Sequence, residues 1–235
     1  MEKQREGLFL QTFNWQDETE KQWDSQAVQW SERSRNMWDK GSRKHIIPFI
    51  KAYLQNEASI VDIGCGDGYG SFKLKQAGYD VTGVDLSADM INIAKENYQD
   101  ISFLQGSIHE LPFKNRSFSA VMAINVLEWL EHPLHGLQEI NRVLKEDGLL
   151  FVGILGPTAG PRKNSYPRLY EQVAVCNTMM PWEMKQLAQE QGFRFVDGFG
   201  VYKRGVKPSH YEGLTEDLQQ ALSFMWVYCF QKNKS

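Results

Sequence analysis

Two acids, Asp62 and Asp85, and four glycines at alternate positions, Gly64, Gly66, Gly68 and Gly70, are the residues whose type and spacing point to ligand chemistry. Glycine lacks a Cβ, so the chain can turn sharply there and bring its backbone close to a ligand. A dinucleotide site asks for GxGxxG, because a pyrophosphate docks on the helix N-terminus that follows. That register fails here. Counted from Gly64 the third glycine falls on Tyr69, and counted from Gly66 it falls on Ser71. Asp62, just before the turn, repels a phosphate but suits an ammonium or sulfonium charge. A cationic nucleoside without phosphate fits these residues better. Asp85 closes the run 79–85, and an acid at the end of a second strand can take both ribose hydroxyls.

Those residues need a strand and a helix to hold them. Ile60, Val61 and Ile63 have the branched side chains of a buried strand. Residues 71–76 read as a helix that stops at Gly78. Strand, glycine turn and helix form the first unit of a doubly wound α/β domain, whose ligands sit beyond the carboxyl ends of the strands. Further strands are predicted at 101–104, 118–124, 149–155, 193–202 and 222–230. Helices are predicted at 43–54, after the N-cap Ser87, from Pro133 to a C-terminus suited by Lys145 and Gly148, over 182–191 and near 215–220. Trp23, Trp30 and Trp38 recur at about two-turn spacing and predict one face of a helix ahead of the first strand.

VDIGCGDGYG resembles the first motif of the class I S-adenosylmethionine (SAM) methyltransferases, and GVDLSADMI resembles their second. The resemblance continues through GSIHELPFKNRSFSAVMAINVLEWLEH and LKEDGLLFVG, over residues 40–155. It implies a doubly wound, Rossmann-like, seven-stranded sheet, mostly parallel with an antiparallel seventh strand and helices on both faces. It implies SAM as cofactor, S-adenosylhomocysteine (SAH) as product, and in-line methyl transfer to a small-molecule acceptor. On this resemblance the turn residues Asp62, Gly64, Cys65, Gly66 and Gly68 cradle the cofactor. Asp85 takes the ribose, Leu86 packs on adenine, and Met90 and Ile108 add apolar wall. Asn125 falls beside the methyl group, and Arg43 reaches the methionine carboxylate, which a guanidinium matches with two bonds. Ser107 stands where family members often carry an aspartate for the adenine amino group; its hydroxyl can still accept one bond, without charge. Asn125-Val126-Leu127-Glu128 is not the Asn-Pro-Pro-Tyr signature of nucleobase amino methyltransferases.

Composition narrows the field. Net charge is −3 and no Lys/Arg block stands out, which argues against a nucleic-acid backbone as partner. Three widely spaced cysteines, Cys65, Cys176 and Cys229, suggest neither a disulfide framework nor a metal cluster. With no signal peptide and no 18-residue apolar run, the sequence reads as cytoplasmic and without a membrane span. Residues 1–56 read as a helical lid and 57–235 as the SAM-binding core, with a Pro-rich insertion at about 157–181 suited to substrate specificity. His45, His109, His132, His135 and Tyr166 are candidate proton acceptors, none of them placed by sequence at the methyl group. Three other readings stand beside methyl transfer to a small molecule: a SAM-binding protein without turnover, a tRNA-modifying methyltransferase, and an NAD(P) oxidoreductase on a related fold.

Overall fold

The computed structural model describes residues 13–234. Part of the expected lid, residues 1–12, lies outside the described residues. Seven strands form one sheet in the order β3-β2-β1-β4-β5-β7-β6. They are β1 (Ser59–Ile63), β2 (Asp80–Asp85), β3 (Ser102–Gln105), β4 (Phe118–Ile124), β5 (Leu144–Leu155), β6 (Phe193–Val201) and β7 (Met225–Lys232). β7 runs antiparallel to both its neighbours, and the other strands share one direction. The expected fold class is borne out.

β1 and β4 are buried on both faces, as their near-continuous apolar sequences require of central parallel strands. One face packs Ile46 and Ile50 of α2 (Ile46–Tyr53), Leu74 of α3 (Tyr69–Gln76) and Ala94 of α4 (Ala88–Asn97) against Ile60, Met122 and Phe151. The other packs Leu137 and Ile140 of α5 (Pro133–Val143) and Met184 of α6 (Pro181–Glu190) against Val61, Val121 and Leu150. A short helix α7 (Glu216–Leu222) precedes β7. None of the helices among the described residues is long and apolar enough to cross a membrane.

The strand order reverses between β1 and β4, so the carboxyl ends of these two strands diverge and leave a crevice at Gly64 and Asn125. Across this end lies α1 (Trp15–Asp39), 25 residues long and capped by the Asn14 carboxamide. Sequence predicted its tryptophan face but not its length. One boundary differs from expectation. α5 stops at Val143, and residues 145–148, expected to close that helix, instead form a bulge between the pairs Phe118–Leu144 and Ala120–Leu149. Asp147, at φ 59°, makes the turn inside it. The insertion holds a 3₁₀ segment, Gly160–Tyr170.

Gly70 lies in the first turn of α3, where a Cβ would meet Trp38 Cζ2 at 2.5 Å. Helix propensity alone would favour alanine there by about 1 kcal/mol. The indole is 4% exposed and cannot swing aside, so overpacking wins. Gly70→Ala should cost about 1–3 kcal/mol in urea unfolding; a stabilised variant would show that α1 does not seat on α3 as described.

Candidate functional site

The crevice opens into a cavity of about 870 Å³, near the top of the range of roughly 300–1,000 Å³ for small-molecule sites. Its floor is the glycine turn. Gly64 and Gly66 adopt φ of 67° and 56°, a region only glycine enters freely. The N–H groups of Gly64 and Cys65 both donate to the Val84 carbonyl, at 2.7 and 3.1 Å, which ties the turn to the end of β2. At that end Asp85 accepts the Gly66 N–H at 2.7 Å on one oxygen and the Ser87 N–H at 2.9 Å on the other. Burial raises the Asp85 pKa, and those amide bonds oppose the rise. The carboxylate is therefore held in one orientation, with lone pairs left for a ligand.

Asp62 is placed differently. Side chains alternate along β1, so Asp62 shares a face with Ile60, away from Val61 and Ile63. It lies behind the turn, 3% exposed, and accepts the Ser71 hydroxyl at 2.7 Å. The two acids do not face each other across the bend. Burial pushes Asp62 up to about 7, opposed by Ser71 and Arg43.

Arg43 is 8% exposed, and its guanidinium stands 5.0 Å from the centroid of Trp30 and 5.5 Å from that of Trp38. Burial lowers its pKa to about 10, opposed by Asp62, Asp67 and Glu128, so it stays cationic at neutral pH. It lines the cavity, and no described side chain accepts a hydrogen bond from it. A buried cation without an acceptor is a seat for an anion.

Of the twelve residues singled out in sequence, the fold brings ten to the cavity wall: Arg43, Gly64, Cys65, Gly66, Asp85, Leu86, Met90, Ser107, Ile108 and Asn125. Asp62 and Gly68 are not among them. Gly68 serves packing, because a Cβ there would stand 2.8 Å from Phe103 and 2.9 Å from Ala94. Cys65 is a buried thiol, pushed well up by desolvation and by the acids around it, and acts as a small apolar wall.

The roof and far wall are aromatic. Trp23 meets Trp30 edge-on at 5.4 Å and Trp129 edge-on at 5.5 Å. Trp15 Nε1 donates to the Trp129 carbonyl at 2.6 Å. Trp129 Nε1 donates to the carbonyl of Asn125, which sits at φ 59°. Sequence gave no reason to single out Trp129 or Phe224, since only the fold sets them opposite α1. Three of the candidate proton acceptors, His109, His132 and His135, line the rim, and the His132 and His109 ring centroids stand 5.3 and 6.3 Å from that of His135. Burial, then the two neighbouring imidazoles, lower the His109 pKa. His45 lies outside the cavity.

Residues 61–152 match the family model described as "Methyltransferase domain". The chain is 36% identical over 99 residues to the demethylmenaquinone methyltransferase of Chlorobaculum tepidum, covering 42% of this chain and 41% of that one. It is 31% identical over 144 residues to the ubiquinone biosynthesis O-methyltransferase of Haemophilus ducreyi, covering 53% and 61%. The chain thus spans about half the length of these relatives. Among solved structures, a chain of the complex between the Haloferax volcanii Trm112 methyltransferase activator and a methyltransferase superposes with a TM-score of 0.73. The overlap covers 92% of this chain and 98% of that one at 19% identity, a likeness of fold.

Asp62 supplies a pH test of this arrangement. Its carboxyl titrates near 3.8 unfolded and near 7 in the fold, so folding favours the protonated form. The stability it contributes is full at low pH and is lost as pH rises through about 7. Asp62→Asn cannot ionise and escapes that loss. In urea unfolding the variant should gain on the wild type from pH 5 to pH 8; an unchanged difference would mean that Asp62 ionises freely in the fold.

Proposed function

We propose that the chain, whose residues 61–152 match a methyltransferase domain, acts as a class I SAM-dependent methyltransferase that binds SAM on the glycine turn and methylates a small-molecule acceptor held against the tryptophans of α1. The observation that carries this reading is Arg43. A dinucleotide would present phosphates to the turn, whereas this site sets a single buried cation at one end and a carboxylate, Asp85, at the other. An amino acid joined to a nucleoside has the matching ends.

In this reading Arg43 holds the ligand carboxylate and Asp85 takes the ribose hydroxyls. Leu86, Met90 and Ile108 enclose the adenine, and Ser107 stands at its edge, where its hydroxyl also donates to Gln16 at 2.8 Å. Gly64, Cys65 and Gly66 let the backbone approach the ligand. Asp62 acts from behind, where its ionised form favours the Arg43 cation. When bound, SAM supplies an electrophilic methyl on a positive sulfur.

The chain's own contribution is alignment and exclusion of water. Holding two reactants in line is worth roughly 7–11 kcal/mol, and the Trp15, Trp23 and Trp129 walls provide a rigid apolar chamber for it. α1 forms the lid of that chamber. Burial and the neighbouring imidazoles disfavour the His109 cation, which suits an acceptor whose nucleophile must lose a proton. Relatives named for demethylmenaquinone and for ubiquinone biosynthesis support a small acceptor.

Calorimetry tests the reading through Arg43. SAH should bind the wild type. Arg43→Gln should weaken SAH by about tenfold or more, as expected for loss of a charge-assisted bond of about 1.5–3 kcal/mol. It should leave 5′-methylthioadenosine, which has no carboxylate, unaffected. Equal losses for the two ligands would remove Arg43 from carboxylate recognition.

A further inference from the structure

A second cavity, of about 760 Å³, lies on the surface beside the first. One bank is α1, with Glu18, Lys21 and Gln22; the other is the insertion. Lys163 and Asn164 line both cavities, so the two spaces meet at that pair. Beyond it the groove is apolar, formed by Tyr166, Pro167, Val173, Ala174 and Val175. Tyr166 is 55% exposed and Val173 57%. Leu169 and Tyr170, both 64% exposed, extend the apolar surface past the groove. Apolar side chains gathered in this way within a few residues mark a binding surface more often than chance.

The groove is built rather than loose. Arg162 donates to the carbonyls of Leu155, Gly156, Thr178 and Met179, clamping both ends of the insertion to the end of β5. Asn177 Nδ2 donates to the carbonyls of Leu127 and Leu130, at 2.7 and 2.8 Å, tying the insertion to the turn after β4. On the α1 bank, Lys21 pairs with Glu18 at 2.8 Å, so that bank carries little net charge for an ionic ligand. Lys163, at the junction, can lay its methylenes along an apolar ligand and keep its ammonium in water.

We propose that the methyl acceptor carries a long apolar chain, which leaves the tryptophan chamber past Lys163 and Asn164 and lies in this groove. The proposal rests on the acceptor reading above and gives it a substrate class: an amphiphile with a compact reacting head and an extended tail. Continuity with the chamber picks this occupant, because Lys163 and Asn164 line both spaces and set the groove directly beside the chamber.

The test uses the methyl, octyl and dodecyl esters of 4-hydroxybenzoate, titrated by tryptophan fluorescence with and without saturating SAH. The octyl ester should bind at least tenfold more tightly than the methyl ester, and the dodecyl ester more tightly again. Val173→Asp, at an exposed groove position, should cut that gain below threefold and leave the methyl ester unchanged. Leu169→Asp, equally exposed but off the groove, should keep the full gain. Affinity that ignores chain length, or no binding at any length, overturns the proposal. So does a gain that survives Val173→Asp, or one that Leu169→Asp removes equally. A wild-type dimer in sedimentation that Val173→Asp dissolves assigns the groove to a second copy of the chain and overturns it too. SAH is titrated separately: failure to bind SAH with the chain-length gain intact sinks the cofactor reading and supports the groove.

Discussion

The close approach of α1 to the glycine turn is the contact on which the site depends. A Cβ on Gly66 would come within 3.2 Å of Trp30 Nε1, and one on Gly70 within 2.5 Å of Trp38. The turn and the helix can meet only because those side chains are missing. The same two indoles carry the Arg43 guanidinium, so one packing event fixes the turn, the roof and the buried cation together. Desolvating an arginine is expensive. Here two ring faces and, in their ionised forms, Asp62, Asp67 and Glu128 offset the cost, and no side chain among the described residues accepts a hydrogen bond from the cation.

The two ends of α1 are held by different physics. At its C-terminal end Trp38 is buried, Ser34 donates to Asp67 at 2.8 Å in the interior, and Tyr69 donates to Asp39 at 2.7 Å. Toward its N-terminus the attachments are mostly polar and wet. Gln105 donates to Glu20 at 3.0 Å, Ser107 to Gln16 at 2.8 Å, and Ser87 to Asp24 at 2.5 Å. Each such bond is worth about 0.5–1.5 kcal/mol net, and each joins the helix to a different strand end or loop. Separating the roof from the floor is therefore cheapest at the Trp15 end, over the part of the cavity that faces the rim histidines and the insertion.

Much of this was legible in the chain, for a physical reason. A buried parallel strand and an amphipathic helix write their period directly into the sequence, so the strand series, the glycine turn and the Asp85 position could be read from local pattern. Asp62 shows where two local patterns pull apart. Standing just before the turn made it look like a ligand group, but strand alternation, visible in Ile60-Val61-Asp62-Ile63, already put it on the Ile60 face. The expected helical ending at residues 145–148 failed because a bulge with Asp147 in a left-handed conformation carries no apolar period. Trp129 and Phe224 left no local signal at all. Their place opposite α1 follows from topology, which a period of two or 3.6 residues does not encode.

The wall of the cavity toward α1 and the insertion is assembled from pieces far apart in sequence, and a buried acid joins them. Glu128 is fully buried, and burial raises its pKa. One carboxyl oxygen accepts the Leu155 N–H at 2.8 Å and the Asn125 carboxamide at 3.2 Å; the other has no hydrogen-bond partner among the described residues. Its main-chain carbonyl accepts the Asn177 N–H at 2.9 Å. The turn after β4, the end of β5 and the far end of the insertion thus converge on one residue. Trp129, one position on, carries that alignment to Trp23 and Trp15. The floor of the cavity is different: turn, Asp85 and Leu86 are set by consecutive strands of the sheet. Side chains can therefore change on α1 and the insertion, and with them the shape of the chamber and the groove, while the strand ends that carry the glycine turn and Asp85 keep their register.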